Sequence, residues 1–220
     1  MCGRYSLVCI DDLGRRFRIH DPMLGIRSRF NIAPLQQAPV VVRRQVRNAM
    51  VLMEWGLAAG SAAGGAAVRP INARAETLAE RPAFRDLLRD GRCLVPATGF
   101  FEWRHEGGRK IPFHIRLKGR PVFAFAGLCT PGSAAPPAAP ESFTIITTRP
   151  NTVVAPLHER MPAILQREDE DRWLEEGITG GLQEMLAPYP PEEMEAYAVS
   201  SRVNDPKNDD EGLTRPLPTL

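Results

Sequence analysis

"RCLVPATGFFEW" (residues 92–103) is the stretch on which the fold turns. Apolar or small residues run from Cys93 to Ala97 and resume at Gly99, Phe100 and Phe101, with no polar residue at helical spacing. Such a run reads as a buried strand rather than an amphipathic helix. Downstream, "IPFHIRL" (111–117), "PVFAFAGLC" (121–129), "SFTIITT" (142–148) and "EAYAVSS" (195–201) read the same way, and so does "GRYSLVC" (3–9) upstream. "APVVVRR" and "AMVLMEWGL" flank "QVRN" (45–48) and predict a hairpin. The helical segments are short: "DDLGRRFRI" (11–19) with an aspartate placed to cap it, "AETLAERPAFRDLLRDG" (75–91) broken or restarted at Pro82 and ending at Gly91, "EDEDRWLEE" (168–176) and "GLQEMLA" (181–187). No βαβ alternation and no internal repeat is present. The expectation is an α+β single domain over residues 1–220, with a curved, mainly antiparallel, barrel-like sheet and short peripheral helices. Flexible loops are expected near 58–69 and 130–141, where Gly, Ala and Pro dominate, and a tail near 206–220.

The 220 residues suit one domain, and 43% hydrophobic with 25% charged residues is ordinary globular composition. No run of about 18 apolar residues suggests a membrane span, and charges at Arg4, Asp11, Asp12, Arg15 and Arg16 argue against a signal peptide. A cytoplasmic protein with reduced thiols is expected. Cys2, Cys9, Cys93 and Cys129 have no zinc-type spacing, so neither metal nor cofactor is expected. Cys93 and Cys129 lie in apolar runs and read as small buried hydrophobes. Net charge is only +2, yet residues 1–47 hold nine arginines against three aspartates. Guanidinium forks suit phosphate, although arginine bias alone is equally a matter of composition.

Four short units could carry chemistry. Cys2 directly follows the initiator methionine, which is normally trimmed before so small a residue. The mature end would then be a 1,2-aminothiol. Its amine, with a reference pKa of about 7.7–8.0, can form a Schiff base with an aldehyde, and its thiol can close on the imine carbon to a thiazolidine. In "PINARAET" (70–77) an extended backbone would put Asn72 and Arg74 on one side. In "TGFFEWR" (98–104) Glu102 stands between Phe101 and Trp103, where desolvation would raise its pKa toward a range useful for proton transfer; an outward-facing strand glutamate is the alternative. In "PLHERMP" (156–162) His158 and Arg160 are two apart, one able to donate to a substrate oxygen and the other to hold a phosphate, unless the histidine is structural.

"MCGRY", "FNIAP", "EWGL", "NARAET", "RCLVPATGFFEW", "AGL", "TIITTRPN", "HERMP" and "VN…ND" occur here in fixed order from Cys2 to about Asp209. In this the chain resembles the SRAP family, the abasic-site-processing proteins also called SOS-response-associated peptidases. The resemblance implies a covalent trap for abasic sites in single-stranded DNA. It implies Cys2 as nucleophile through amine and thiol, Asn72 holding the linkage, Glu102 shuttling protons, and His158 assisting sugar-ring opening. It also implies Arg4, Arg74 and Arg160 as phosphate contacts, with Pro34 as a wedge and Trp103 as an apolar wall near the DNA path. The partner would be single-stranded DNA bearing the lesion, bound by a monomer with no membrane involvement.

Other readings use the same residues. A thiol peptidase could act through Cys2, His158 and Glu102, removal of Met1 being a limited form of that activity. Class II glutamine amidotransferases also begin Cys-Gly, but continue with isoleucine where this chain has Arg4, and their later motifs are missing. A noncovalent strand binder would leave Cys2 idle. One departure from the family stands out. After "WGL" the family usually continues with proline and one or more tryptophans, whereas residues 58–69 here hold no aromatic. A base-stacking contact is worth about 1–3 kcal/mol. Noncovalent affinity for undamaged single strands should therefore be weaker than that of a tryptophan-bearing relative, with covalent trapping retained; a titration giving equal affinities would refute this.

Overall fold

The computed structural model describes residues 2–8, 11–20, 25–58, 69–131, 141–175, 177 and 180–218. Five strands form a closed ring: β3 (Gln37–Arg44), β4 (Arg47–Trp55), β6 (Arg92–Ala97), β9 (Phe123–Thr130) and β10 (Ser142–Thr148). β4, β3, β6, β9 and β10 are neighbours in that order, and β10 returns to pair with β4, placing Ser142 and Phe143 beside Glu54 and Trp55. Closure leaves these strands without a free edge between them. β5 (Asn72–Arg74) and β11 (Met161–Pro162) add to β10, the first parallel and the second antiparallel. A second, wholly antiparallel sheet runs in the order β12 (Met194–Ala198), β8 (Arg109–Leu117), β7 (Gly99–Glu106), β1 (Tyr5–Leu7), β2 (Arg29–Ile32). The expected α+β class and curved, largely antiparallel core are what the chain adopts.

Aromatic side chains join ring and sheet. Tyr5 meets Trp55 edge-on at 5.3 Å and Phe125 at 5.9 Å, and Phe100 meets Phe125 at 6.0 Å. All four rings are fully buried, and such contacts add about 0.5–1.5 kcal/mol each beyond area burial. Helices are peripheral: α1 (Leu13–Phe17), α2 (Pro82–Asp90), α3 (Glu170–Leu174) and α4 (Leu182–Met185). Pro82 opens α2, where its missing N–H costs nothing.

Several expectations need correction. "RCLVPATGFFEW" is two strands in two different sheets, parted at Thr98. The break lets Gly99 sit under a polar side chain from β8. His114 lies across Gly99, where an added Cβ would come 2.2 Å from Nε2. Tyr197 donates its hydroxyl to the Thr214 carbonyl (3.0 Å) and lies 3.1 Å from His114 Nδ1, so Nδ1 carries the proton and Nε2 accepts from Ser6 Oγ at 3.1 Å. Asp12 makes no side-chain cap on α1 and instead faces Arg15 at 3.4 Å on the surface. "FNI", "NAR" and "MP" form strands β2, β5 and β11 that their short lengths concealed. The stretch expected as a tail is docked as far as Leu217: Asp209 accepts from the Phe30 and Asn31 amides, Leu213 is fully buried, and the Leu217 amide donates to Ala198. Its Asp and Asn residues act as hydrogen-bonding anchors, which composition alone presents as solvated chain. The expected loops near 58–69 and 130–141 fall, apart from their ends, outside the described residues, as does Cys9. Cys93 and Cys129 are buried in strands, as their surroundings suggested.

Two outcomes follow. Gly99→Ala should cost about 2 kcal/mol or more, because the collision is with packed side chain and backbone rather than a flexible tip; a melting midpoint equal to wild type would contradict it. Burial, aided by the Arg116 charge, pushes His114 down to about 3. The unfolded imidazole binds a proton near pH 6.5 and the folded one does not, so stability falls as pH drops below that value. His114→Gln should lower the midpoint at neutral pH but flatten its decline between pH 7 and 5, read by thermal melts.

Candidate active site

Cys2 lies just before β1, fully buried. Its carbonyl accepts from Asn72 Nδ2 at 2.9 Å, and its Sγ donates to the Arg4 carbonyl at 3.8 Å. Asn72 is delivered by β5, which the β10 backbone holds in register opposite Ile145. Asn72 Oδ1 is buried and accepts no hydrogen bond from the described residues. Strand alternation puts Arg74 on the same side, exposed to solvent.

Glu102 comes from β7 on the side shared with Phe100 and is 2% exposed. Burial pushes its carboxyl up to about 7, opposed by the positive charge of the chain's amino terminus. Burial, followed by the charge of Glu102, drives the Cys2 thiol far above the ordinary range. Phe101 and Trp103 face the other side of β7, so the desolvation of Glu102 arises on the side of Phe100 and the main core and not from these two neighbours.

His158 ends a helical turn built on Asn151. Asn151 Oδ1 accepts from the Val153 and Val154 amides, both at 3.1 Å, and its Nδ2 donates to the Tyr189 carbonyl at 2.7 Å. The Arg160 amide donates to His158 Nδ1 at 3.0 Å, which makes Nδ1 the lone-pair nitrogen of a neutral ring. Burial lowers the His158 pKa, and the amino-terminal charge lowers it further. The charge of the amino terminus ahead of Cys2 thus acts on Cys2, Glu102 and His158, and the charge of Glu102 acts on Cys2, whose carbonyl Asn72 holds.

The remaining candidates are placed differently. Arg160 forms a two-pronged pair with Glu76 (2.8 and 2.8 Å) and donates to the Thr147 carbonyl at 2.6 Å. Arg4 donates to Asn31 Oδ1 (3.0 Å) and to the carbonyls of Val203 (2.6 Å) and Asn204 (3.0 Å). Trp103 donates its indole N–H to Asn204 Oδ1 at 2.8 Å and packs with Phe101, Val203 and Leu213. Pro34 is half-buried in a turn whose next residue, Leu35, is 57% exposed with φ 66°. Sequence reasoning passed over Leu35. Its signal was an apolar residue directly behind Pro34 in a turn, and an exposed apolar side chain on a strained backbone is a candidate contact surface. Among the described residues no cluster could hold a metal ion, and no helix is long and apolar enough to cross a membrane.

Residues 1–206 match the family described as SOS response associated peptidase (SRAP). The abasic site processing protein YoqW of Bacillus subtilis (strain 168) is 40% identical over 215 residues, covering 94% of this chain and 96% of that protein. The abasic site processing protein YedK of Escherichia coli (strain K12) is 30% identical over 232 residues, covering 99% of this chain and 100% of its own. A crystal structure of a Bacteroides thetaiotaomicron protein superposes with a TM-score of 0.81 at 26% identity, covering 98% of this chain and 100% of that one. The chain therefore belongs to the SOS response associated peptidase family.

Proposed function

We propose that the protein senses abasic sites in single-stranded DNA and captures them covalently through Cys2. The observation that carries this reading is the setting of Cys2: its carbonyl is held by Asn72, and the charge of buried Glu102, a carboxyl poised near neutrality, acts on its thiol. The names of the relatives, abasic site processing proteins, support the substrate class.

After Met1 is lost, the Cys2 amine attacks the C1′ aldehyde of the open deoxyribose to give a carbinolamine. Loss of water leaves the Schiff base. The thiol then adds to the imine carbon, its proton passes to the nitrogen, and a thiazolidine closes. One water is released and no oxidant is needed. Glu102, with its carboxyl near 7, can take the ammonium proton and return one to the departing hydroxyl at neutral pH. His158, neutral with Nδ1 accepting, has Nε2–H to donate to the sugar ring oxygen as it opens. Asn72 Oδ1 supplies an acceptor beside Cys2 for the newly formed linkage. Arg74 has its guanidinium in solvent and suits a flanking phosphate best. Arg4 and Arg160 would assist with whatever donors their internal bonds leave, and Pro34 with Leu35 would form the apolar wedge.

The peptidase alternative uses the thiol as the attacking group. A nucleophilic cysteine needs a lowered pKa, whereas burial and Glu102 raise that of Cys2. The amine is therefore the first nucleophile, and the thiol acts second on an electrophile already attached.

Mixing the protein with single strands carrying an abasic site should give a band shifted on a denaturing gel, with none for the intact strand. Cys2→Ser should leave at most a borohydride-reducible Schiff base, and an extension ahead of Cys2 should abolish trapping while sparing strand binding. Peptide turnover without a shifted band would favour the peptidase. Glu102→Gln should slow capture about 100-fold or more and erase an inflection near pH 7. Because the folded carboxyl titrates at about 7 against an ordinary 4.5, stability falls as pH rises through that window. The same variant should therefore melt above wild type at pH 8.

A further inference from the structure

The motifs "FNIAP" and "VN…ND" contribute more than Pro34. Asn31, on β2, is fully buried. Its Nδ2 donates to the carbonyls of Val203 (3.2 Å), Asp205 (3.1 Å) and Asn208 (2.9 Å), while its Oδ1 accepts from Arg4 at 3.0 Å. Asp209 closes the arrangement by accepting from the Phe30 and Asn31 amides and from Arg29. One amide side chain thus ties residue 4 to residues 203–208, and the Arg4 guanidinium adds its own bonds to Val203 and Asn204. The Arg4 backbone is the segment against which Cys2 rests: its carbonyl receives the Phe101 amide (3.0 Å) and the Cys2 thiol (3.8 Å). Asn204 also holds the Trp103 indole, the neighbour of Glu102 on β7.

We propose that Asn31 and the segment Val203–Asp209 form a clasp that positions the reacting amino terminus, with Asn31 and Asn204 as positioning residues for covalent capture. This rests on the capture reading above. Misplacing a reacting group by about 1 Å can cost 10²-fold in rate. The clasp adds to the Asn72 bond and the β1–β7 pairing an attachment from a segment some 200 residues away in sequence. It reaches the nucleophile through Arg4 and the proton-transfer strand through Trp103, and it leaves the lesion-facing side to Asn72 and His158.

The test is single-turnover capture of a strand bearing an abasic site, with the maximum rate constant separated from the half-saturating strand concentration. Asn31→Ala should lower the maximum rate about 10- to 100-fold while the half-saturating concentration stays within about twofold. Asn204 is exposed, so Asn204→Ala tests the clasp without emptying the core. It should slow the maximum rate severalfold, and Asn204→Asp, which keeps an acceptor for the indole, should restore it. Melting midpoints above the assay temperature certify folding. Folded variants that react at the wild-type maximum rate, or Asn204→Asp failing to rescue a slowed Asn204→Ala, overturn the clasp. A wild-type protein that captures nothing overturns instead the reading on which it rests. If Asn31→Ala does not fold, the Asn204 pair decides alone.

Discussion

Cys2 stands one residue from the start of the sequence, ahead of the first strand, and the groups around it come from distant parts of the chain. Cys2 is steadied by the Asn72 amide on its carbonyl and by the strand pairing that begins at Arg4, where the Phe101 amide binds. Each of these groups comes from a different element. Asn72 depends on β5 lying against β10, Phe101 on β7 lying against β1, and β1 on the aromatic contacts of Tyr5 with the ring. The closed ring is therefore the body against which the Cys2 segment is held.

Burial that secures the terminus also sets its chemistry. A carboxylic acid enclosed on the inner side of β7 loses hydration and titrates near neutrality, where it can work in both directions. The same enclosure keeps the Cys2 thiol protonated. A thiol so held is a poor first nucleophile, which is why the capture proposed above gives the first attack to the amine. Burial and the amino-terminal charge lower the pKa of His158, whose Nδ1 accepts from the Arg160 amide.

Much of this was legible in the residues. Apolar runs marked the main strands, and the parity of Asn72 with Arg74 and of Phe100 with Glu102 matches the faces seen. The same parity already placed Trp103 opposite Glu102, although adjacency in sequence suggested they were neighbours. The division of residues 92–103 between two sheets was not legible, since it depends on His114 arriving over Gly99 from a strand about fifteen residues later. The partners of the arginines were hidden for a related reason. Guanidinium preference for oxygen anions says nothing about whether Glu76 or a phosphate gets there first, nor that Arg4 would spend itself on carbonyls near residue 203. The C-terminal Asp and Asn residues looked like solvated tail because their acceptors and donors belong to β2, far away in sequence.

The most direct measurement of the central claim is the intact mass and linkage site of the conjugate formed with a single strand carrying one abasic site. The account predicts a species equal to protein lacking Met1 plus DNA minus one water, attached at Cys2, whose mass is unchanged by borohydride because the imine has closed to a thiazolidine. An adduct on a lysine, or a Cys2 adduct that borohydride reduces in full, would contradict it.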